Sequence, residues 1–170
     1  LGIMEAIENY AGMPWSSVSY FDGTEGHIVV EGLRYANGVA VSKDLKTLYV
    51  AETTKRQLSR YDRGETMSDW TLRDSLNVKS NVDNIEWTAD GDILIGSHPK
   101  IFDFLAHTKD TSKPSPSEVI RVNVKEEVMT YESIYLNDGT AISGSSVAAG
   151  YKNQMLIGPV IDDHFLRCTI

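Results

Sequence analysis

The amino-acid sequence predicts an all-β fold, because short strand-like segments and tight turns follow one another from residue 15 to the end. Segments rich in β-branched and aromatic residues alternate with polar turns, as in "SSVSYF", "DGTEG", "HIVVEGL", "TLYVAET" and "QLSRYDR". One hairpin pattern also occurs three times, at residues 36–51, 82–96 and 145–159. This repetition indicates the kind of β fold.

The three hairpins are "ANGVAVSKDLKTLYVA", "VDNIEWTADGDILIG" and "SSVAAGYKNQMLIGP", in which Val39, Ile85 and Val147 are equivalent. Each has a small or polar beginning, a strand, a turn, and a second strand richer in Leu, Ile or Val. Repeats of roughly 40 to 50 residues with about four short strands each are typical of β-propeller blades. A β-sandwich also has short strands, but it does not explain the repetition. We therefore predict about three blades in residues 15–170.

Residues 1–14 carry a different pattern. Leu1, Met4 and Ile7 fall on one helical face, and "GMP" at 12–14 is a stop signal. We predict a short amphipathic helix that packs on the body of the domain. Membrane contact is the alternative, which the glutamates of this segment disfavour because they would repel anionic lipid.

The charge composition excludes one class of partner. The 170 residues carry 16 Lys and Arg against 24 Asp and Glu, a formal net charge of −8 at pH 7. Nucleic-acid binding requires clustered cations at the phosphates, and the chain has no cluster longer than the pair Lys55 and Arg56. We therefore expect no nucleic-acid partner.

Both ends of the sequence suggest a longer protein. The chain begins with Leu1 rather than Met, and we interpret it as a part of that protein. Its one cysteine, Cys168, cannot form an internal disulfide or a cysteine-based metal site. This thiol is either an inert side chain or half of a disulfide whose partner lies outside the 170 residues.

Polar side chains stand at the beginnings of the predicted inner strands. The repeat register places Asn37 level with Asp83 and Gly38 level with Asn84, and Ser145 is a weaker candidate for the same level. Inner strands of a propeller line its channel, so their beginnings converge on the axis at one face. Carboxylate and amide oxygens are the ligands of hard cations such as Ca²⁺. The alternative is that these residues form local turns with their own backbone.

The order of the segments resembles a known family. The stretches "GMPWSSVSYF", "VVEGLRYANGVAVSKDLKTLYVAE", "VDNIEWTADGDILIGSHP", "SEVIRV", "NDGT" and "SGSSVAAGYKNQMLIG", followed by a cysteine near the end, are similar to the C-terminal half of the serum paraoxonase/arylesterase family. The resemblance covers nearly the whole chain. It implies a six-bladed β-propeller with two calcium ions in its central tunnel, which hydrolyses lactones, aryl esters and some organophosphates.

Carried over by position, the resemblance assigns the ligands of the catalytic calcium in this chain to Asn37, Asp83 and Asn84. These are the residues that the repeat register had already selected. The family's other calcium ligands, and the histidine pair proposed to activate water, belong to sequence before Leu1. The resemblance therefore implies a partial metal site in this chain.

The resemblance also implies roles for residues around that site. His98 of "GSHP" matches a histidine near the active-site pocket, and Ser97 stands where the family often has cysteine. Val160 and Ile161 fall where apolar residues line the substrate pocket. Cys168 matches the cysteine that bridges to the N-terminal region and closes the ring, which favours the disulfide interpretation.

None of the four histidines stands in a general-base motif. His27 begins a predicted strand, His107 lies in a predicted loop, and His164 in "DDHF" is expected to be solvated. A lone His98 beside proline is typical of a structural residue. We therefore predict metal ligands in this chain but no complete proton-transfer apparatus.

The resemblance implies that the longer protein is a calcium-dependent arylesterase and lactonase acting on small ester or lactone substrates. An alternative is a paraoxonase-like accessory protein that has lost catalysis and binds a membrane partner. The implied location is secretion, or association with a membrane or lipoprotein surface outside the cytoplasm. The isolated 170 residues would form about half a ring with exposed strand edges, so we expect them to be inactive and prone to aggregate.

Overall fold

The structure, a computed structural model, describes residues 12–169, in which there are thirteen β-strands and one short helix. The strands are β1 (Ser16–Phe21), β2 (Gly26–Leu33), β3 (Ala36–Val41), β4 (Thr47–Glu52), β5 (Gln57–Arg63), β6 (Trp70–Asn77), β7 (Asn81–Trp87), β8 (Ile93–His98), β9 (Ser117–Asn123), β10 (Thr130–Asn137), β11 (Ser145–Tyr151), β12 (Gln154–Pro159) and β13 (Leu166–Thr169). The helix α1 spans Ile101–His107. The all-β prediction is confirmed.

The strands form four antiparallel sheets in chain order. Sheet A contains β1 and β2, sheet B contains β3 to β6, sheet C contains β7 to β10, and sheet D contains β11 to β13. The three repeated hairpins of the sequence are β3–β4, β7–β8 and β11–β12, so each repeat opens a new sheet. The predicted helix at residues 1–14 lies outside the described residues except for its last three positions, which are not helical. No helix within residues 12–169 is long and apolar enough to cross a membrane.

The first strands of three sheets lie side by side. Strand β7 contacts β3 on one side and β11 on the other. This is how the inner strands of adjacent propeller blades are arranged. The described residues thus contain two four-stranded sheets, one three-stranded sheet and one two-stranded sheet in a propeller-like order. A total of six blades stays a prediction.

Two glycines allow these neighbouring sheets to approach closely. A methyl group at Gly38 of β3 would overlap the carbonyl oxygen of Asp83 and lie 2.8 Å from the backbone nitrogen of Ile85. A methyl group at Gly96 of β8 would overlap the backbone of Ser146 in β11. Because the obstacle in both cases is backbone, it cannot move aside as a flexible side chain would.

The hydrophobic core of the described part lies between neighbouring sheets, in three clusters. Side chains alternate along a strand, so one buried strand can supply two clusters. In β8, Ile93 and Ile95 pack toward sheet B, while Leu94 packs toward sheet D. In β4, Tyr49 packs toward sheet C, while Leu48 packs toward sheet A. The sheets are therefore held as a stack by apolar contacts on both faces.

A buried cation also joins two sheets. Arg60 of β5 pairs with Asp74 of β6 and donates hydrogen bonds to the carbonyl oxygens of Glu126 (3.3 Å) and Glu127 (2.6 Å). These carbonyls belong to the turn between β9 and β10. The hydrogen bond to Asp74 raises the pKa of Arg60 above its ordinary value, so the guanidinium keeps its charge although it is buried. Arg60 thus ties sheet B to the outer part of sheet C.

The close approach of sheets C and D predicts the effect of one substitution. We expect Gly96→Ala to lower the free energy of unfolding by about 2 kcal/mol or more, because an added methyl group meets fixed backbone. Gly26→Ala is the matched control, since a methyl group at Gly26 has nothing within 4 Å. Urea denaturation of both variants in the full-length protein measures the difference. Equal midpoints for the two variants would contradict the packing argument.

Candidate metal-binding site

The side chains assigned to a metal all lie on β-bulges at the same end of two neighbouring strands. In β3, Ala36 pairs with Glu52 and Val39 pairs with Val50. The two residues between Ala36 and Val39, of which Asn37 is the first, therefore oppose a single residue of β4 and form a β-bulge. A bulge interrupts the regular alternation of side chains and often stands beside a functional site.

The corresponding bulge in β7 carries the other two residues. Val82 pairs with Ser97 and Ile85 pairs with Ile95, so Asp83 and Asn84 together oppose Gly96. The two bulges are in contact, since Gly38 packs against the carbonyl of Asp83. The structure therefore brings Asn37, Asp83 and Asn84 to one level of adjacent strands.

Each of the three residues has a side-chain oxygen that makes no hydrogen bond within residues 12–169. Asp83 is buried, and its Oδ2 accepts a hydrogen bond from Nε2 of His98 at 3.2 Å, which leaves Oδ1 without a partner. Asn84 donates from Nδ2 to Oγ of Ser146 at 2.8 Å, which leaves its Oδ1 as an acceptor. Asn37 is exposed and has no side-chain hydrogen bond in the described part. One carboxylate and two amide oxygens suit a hard cation such as Ca²⁺.

The ligand set of this chain is partial. Among the described residues, no group of three or more His, Cys, Asp or Glu could hold a metal ion. Ca²⁺ takes about 6 to 8 oxygen ligands, so three oxygens from these strands require further ligands from water or other protein groups. The residues present fit a hard cation in type, and they do not complete its coordination.

His98 holds Asp83 and faces the interior of the protein. Its imidazole is buried and stacks on the ring of Phe104 in α1, with 3.8 Å between ring centroids and 15° between planes. Since a carboxylate only accepts hydrogen bonds, Nε2 of His98 is the donor. His98 thus fixes the orientation of Asp83, which is a positioning role. The place near the substrate pocket that the resemblance implies for His98 stays a prediction.

The predicted pocket residues Val160 and Ile161 lie directly after β12 and are partly exposed. The backbone N–H of Val160 donates to the carbonyl of Gly144 at 3.0 Å. A methyl group at Gly144 would lie 3.0 Å from the ring of Phe104. A continuous series of contacts therefore leads from the segment of Val160 to Phe104 and on to His98.

The sequence register had suggested that Ser145 shares the level of Asn37, but the structure places Ser145 differently. Ser145 is fully buried, and its hydroxyl oxygen lies within hydrogen-bond distance of the backbone carbonyls of Ser97 (3.1 Å) and Glu118 (3.0 Å), which are alternative acceptors for its one proton. Strand β11 has its own bulge, between Ser145 and Val147, and the residue in it is Ser146. This bulge shifts the alternation of side chains along β11 by one residue, and no feature of the sequence indicated it. Ser146 is the serine that contacts Asn84.

His107 is also placed differently from the prediction of a loop residue. It is the last residue of α1 and is buried, with Nδ1 donating to the carbonyl of Lys113 at 2.8 Å. His164 is exposed, as expected, and its hydrogen bond to the carbonyl of Ala141 raises its pKa. His27 is half-exposed and lies 3.5 Å from Oδ2 of Asp22. His98 is thus the histidine that touches a candidate metal ligand.

Cys168 lies in β13 opposite Met155 of β12, and its thiol is free and partly buried. It packs against the apolar cluster between sheets C and D. The disulfide implied by the resemblance needs a cysteine outside this chain and stays a prediction.

The fold and the site together define a propeller-like all-β domain with an oxygen-lined candidate site for a hard cation. The arylesterase family, by its sequence model, matches residues 2–170. Serum paraoxonase/arylesterase 1 of Homo sapiens is 36% identical over 164 residues, which cover 92% of this chain and 44% of that protein. Serum paraoxonase/lactonase 3 of Oryctolagus cuniculus is 32% identical over 160 residues, covering 93% of this chain and 44% of that protein. The chain belongs to the arylesterase family.

A solved structure shows the same fold. The crystal structure of regucalcin, a calcium-binding protein from Agrobacterium tumefaciens, aligns with a TM-score of 0.56 and 14% identity, and covers 90% of this chain and 48% of that chain. The chain spans less than half the length of the curated relatives it matches and of this structure.

The open oxygen of Asp83 predicts the effect of removing it. Asp83→Ala should reduce the rise in melting temperature that calcium gives the full-length protein, because the one carboxylate among this chain's three candidate ligands is lost. A ligand present at 100 times its Kd stabilises the folded state by about 2.7 kcal/mol, which a thermal unfolding curve resolves easily. An unchanged calcium-dependent rise in the variant would contradict the assignment.

Asp92→Ala is the matched control for this experiment. Asp92 is 5% exposed against 6% for Asp83 and lies at the opposite end of the β7–β8 hairpin. It pairs with Arg121 and Lys125, so its loss should lower the melting temperature with and without calcium. The rise in melting temperature on addition of calcium should remain in Asp92→Ala.

Proposed function

We propose that the longer protein to which this chain belongs is a calcium-dependent hydrolase of aryl esters and lactones. The observation that carries the proposal is a set of three oxygens on the touching bulges of β3 and β7 that make no hydrogen bond within residues 12–169, in a chain of the arylesterase family. Asn37, Asp83 and Asn84 would hold the ion, and the remaining ligands would come from the rest of the protein. The names of the two paraoxonases cited above support the ester and lactone substrate classes.

The ion supplies one kind of chemistry when it is bound: as a Lewis acid it polarises an ester carbonyl and stabilises negative charge on its oxygen. The chain's own residues prepare the site for that ion. His98 donates to Oδ2 of Asp83, so the free Oδ1 keeps one orientation. Ser146 accepts from Nδ2 of Asn84, which directs the amide so that its oxygen stays available. Preorganised ligands lose little entropy on binding.

Water attack on an ester also needs a base. His98 is committed to Asp83, His107 is buried against Lys113 and Asp162, and His27 and His164 are outside the site. We therefore place the general base in the remaining part of the longer protein. The proposal also includes two calcium ions, six blades, a disulfide from Cys168, and secretion or association with a membrane or lipoprotein surface.

The alternative of a non-catalytic accessory protein with a membrane partner is not favoured by the site. A protein that had lost catalysis would have no need for oriented, unpaired oxygen ligands beyond a role in stability. Asp83 is oriented by a second residue, and Asn84 by a third. This supports the hydrolase.

Hydrolysis of phenyl acetate and of a δ-lactone by the full-length protein tests the proposal. We expect turnover that EDTA abolishes and that excess calcium restores. Asp83→Ala should lower kcat/KM by about 100-fold or more, since removing one element of charge stabilisation typically costs that much. Asp92→Ala, assayed well below its melting temperature, should retain most of the activity. Turnover that is indifferent to EDTA, or no turnover at all, would refute the proposed reaction.

The 170 residues expressed alone should show no EDTA-sensitive turnover and should aggregate. The two outer sheets of the described part carry exposed apolar side chains, with Phe21 and Ile28 in sheet A and Tyr151 and Leu156 in sheet D. Exposed apolar faces and strand edges favour association between chains. Sedimentation velocity and the phenyl acetate assay measure both properties. A soluble monomer with full activity would contradict this prediction.

A further inference from the structure

We propose that His107 and Asp162 act as a latch that holds the segment of Val160 and Ile161 against helix α1, beside the candidate metal site. The two residues thereby position the wall of the substrate pocket. This inference rests on the proposed function for its catalytic consequence, and on the described contacts for the latch itself.

The latch joins the buried side chain of His107 to the partly buried side chain of Asp162, from two distant parts of the chain. Nε2 of His107 lies 3.2 Å from Oδ1 of Asp162, and the side chains are 1% and 17% exposed. Within residues 12–169 that nitrogen makes no hydrogen bond, so the carboxylate is its polar neighbour. The other ring nitrogen, Nδ1, donates to the carbonyl of Lys113. The ring is therefore held by its Nδ1 hydrogen bond, and its Nε2 faces the carboxylate of Asp162.

Asp162 joins the latch to the backbone of the neighbouring loop. Its Oδ2 accepts a hydrogen bond from the N–H of Ser143 at 2.7 Å, while Oδ1 faces His107. Two residues earlier, the N–H of Val160 donates to the carbonyl of Gly144. The segment from Val160 to Asp162 is thus held at both ends, and Ile161 lies between the two attachments.

Helix α1 depends on such side-chain contacts for its position. It has seven residues, and its N-cap residue Lys100 makes no side-chain capping bond. A helix of this length is not stable by itself in water. Phe104 and His107 are one turn apart and so lie on the same face of the helix. Phe104 stacks on His98, and His107 contacts Asp162.

These contacts connect a candidate metal ligand to the pocket segment. Asp83 accepts from His98, His98 stacks on Phe104, and α1 carries His107 to Asp162. Loss of the latch would leave Asp83 and His98 in place, since their own contacts remain. The segment of Val160 and Ile161 would become more mobile. We therefore expect an effect on substrate binding rather than on the chemical step.

The test compares three single variants of the full-length protein. Asp162→Ala removes both contacts of the carboxylate. Asp162→Asn is the conservative variant, because its amide oxygen can still accept from the N–H of Ser143. Asp163→Ala is the matched control, since it removes the same charge from a neighbouring side chain that is fully exposed.

The first measurement is amide hydrogen exchange of residues 158–166. We expect exchange roughly tenfold faster or more in Asp162→Ala, the effect of losing a hydrogen bond to a charged group. Asp162→Asn should retain most of the protection, and Asp163→Ala should match the wild type. Exchange at strands β7 and β8 should not change. A segment that is equally protected in Asp162→Ala and Asp163→Ala would overturn the latch, and so would faster exchange spread evenly over all sheets.

The second measurement is steady-state hydrolysis of two esters that differ in acyl size. In Asp162→Ala, KM for the larger ester should rise by about three- to tenfold, while kcat for phenyl acetate should change by less than about twofold. Equal losses of kcat for both esters would overturn the positioning role. A wild-type protein without any turnover would refute the proposed function, and hydrogen exchange would still decide whether the latch exists.

Discussion

The close packing of three first strands, β3, β7 and β11, is the constraint on which the rest of the described structure depends. Backbone meets backbone where Gly38 of β3 faces Asp83 of β7, and where Gly96 of β8, beside the β7 bulge, faces Ser146 of β11. No side chain separates the strands at these points, so the bulges of neighbouring sheets come into contact. The oxygens of the candidate site reach one level because of this packing. Ordinary side chains at the two glycine positions would push the sheets apart.

The site also shows how a buried carboxylate is tolerated. Burying a charge is costly unless it is paired or hydrogen-bonded. Asp83 has a hydrogen bond from His98 on one oxygen and none on the other within the described residues. Such an incompletely satisfied group is expected at a site that binds a cation, because the cation supplies the missing interaction. Asp92, at the other end of the hairpin, has a cation beside each of its oxygens, Arg121 at Oδ2 and Lys125 at Oδ1.

Much of the fold could be predicted because it depends on local patterns. Alternation of apolar residues and recurring turns indicated the strands, and the threefold repetition indicated sheets that follow one another in chain order. The register of the repeated hairpins also predicted that Asn37 and Asp83 lie at the same level of neighbouring strands. The register failed at Ser145, since a bulge in β11 changes which side chains face the neighbouring sheet. Bulges of this kind depend on contacts between sheets, which no local pattern reports.

The sequence by itself determined the family, the all-β class and the residue types of a cation site, because each is a property of composition, order and spacing. Tertiary structure alone decided the contacts of His98 and His107. A histidine has the same local signal whether it is solvated, a base or a positioning residue. Its role depends on which atoms lie beside each ring nitrogen. For His98 the neighbour is Asp83, and for His107 it is Asp162, which is far away in the chain.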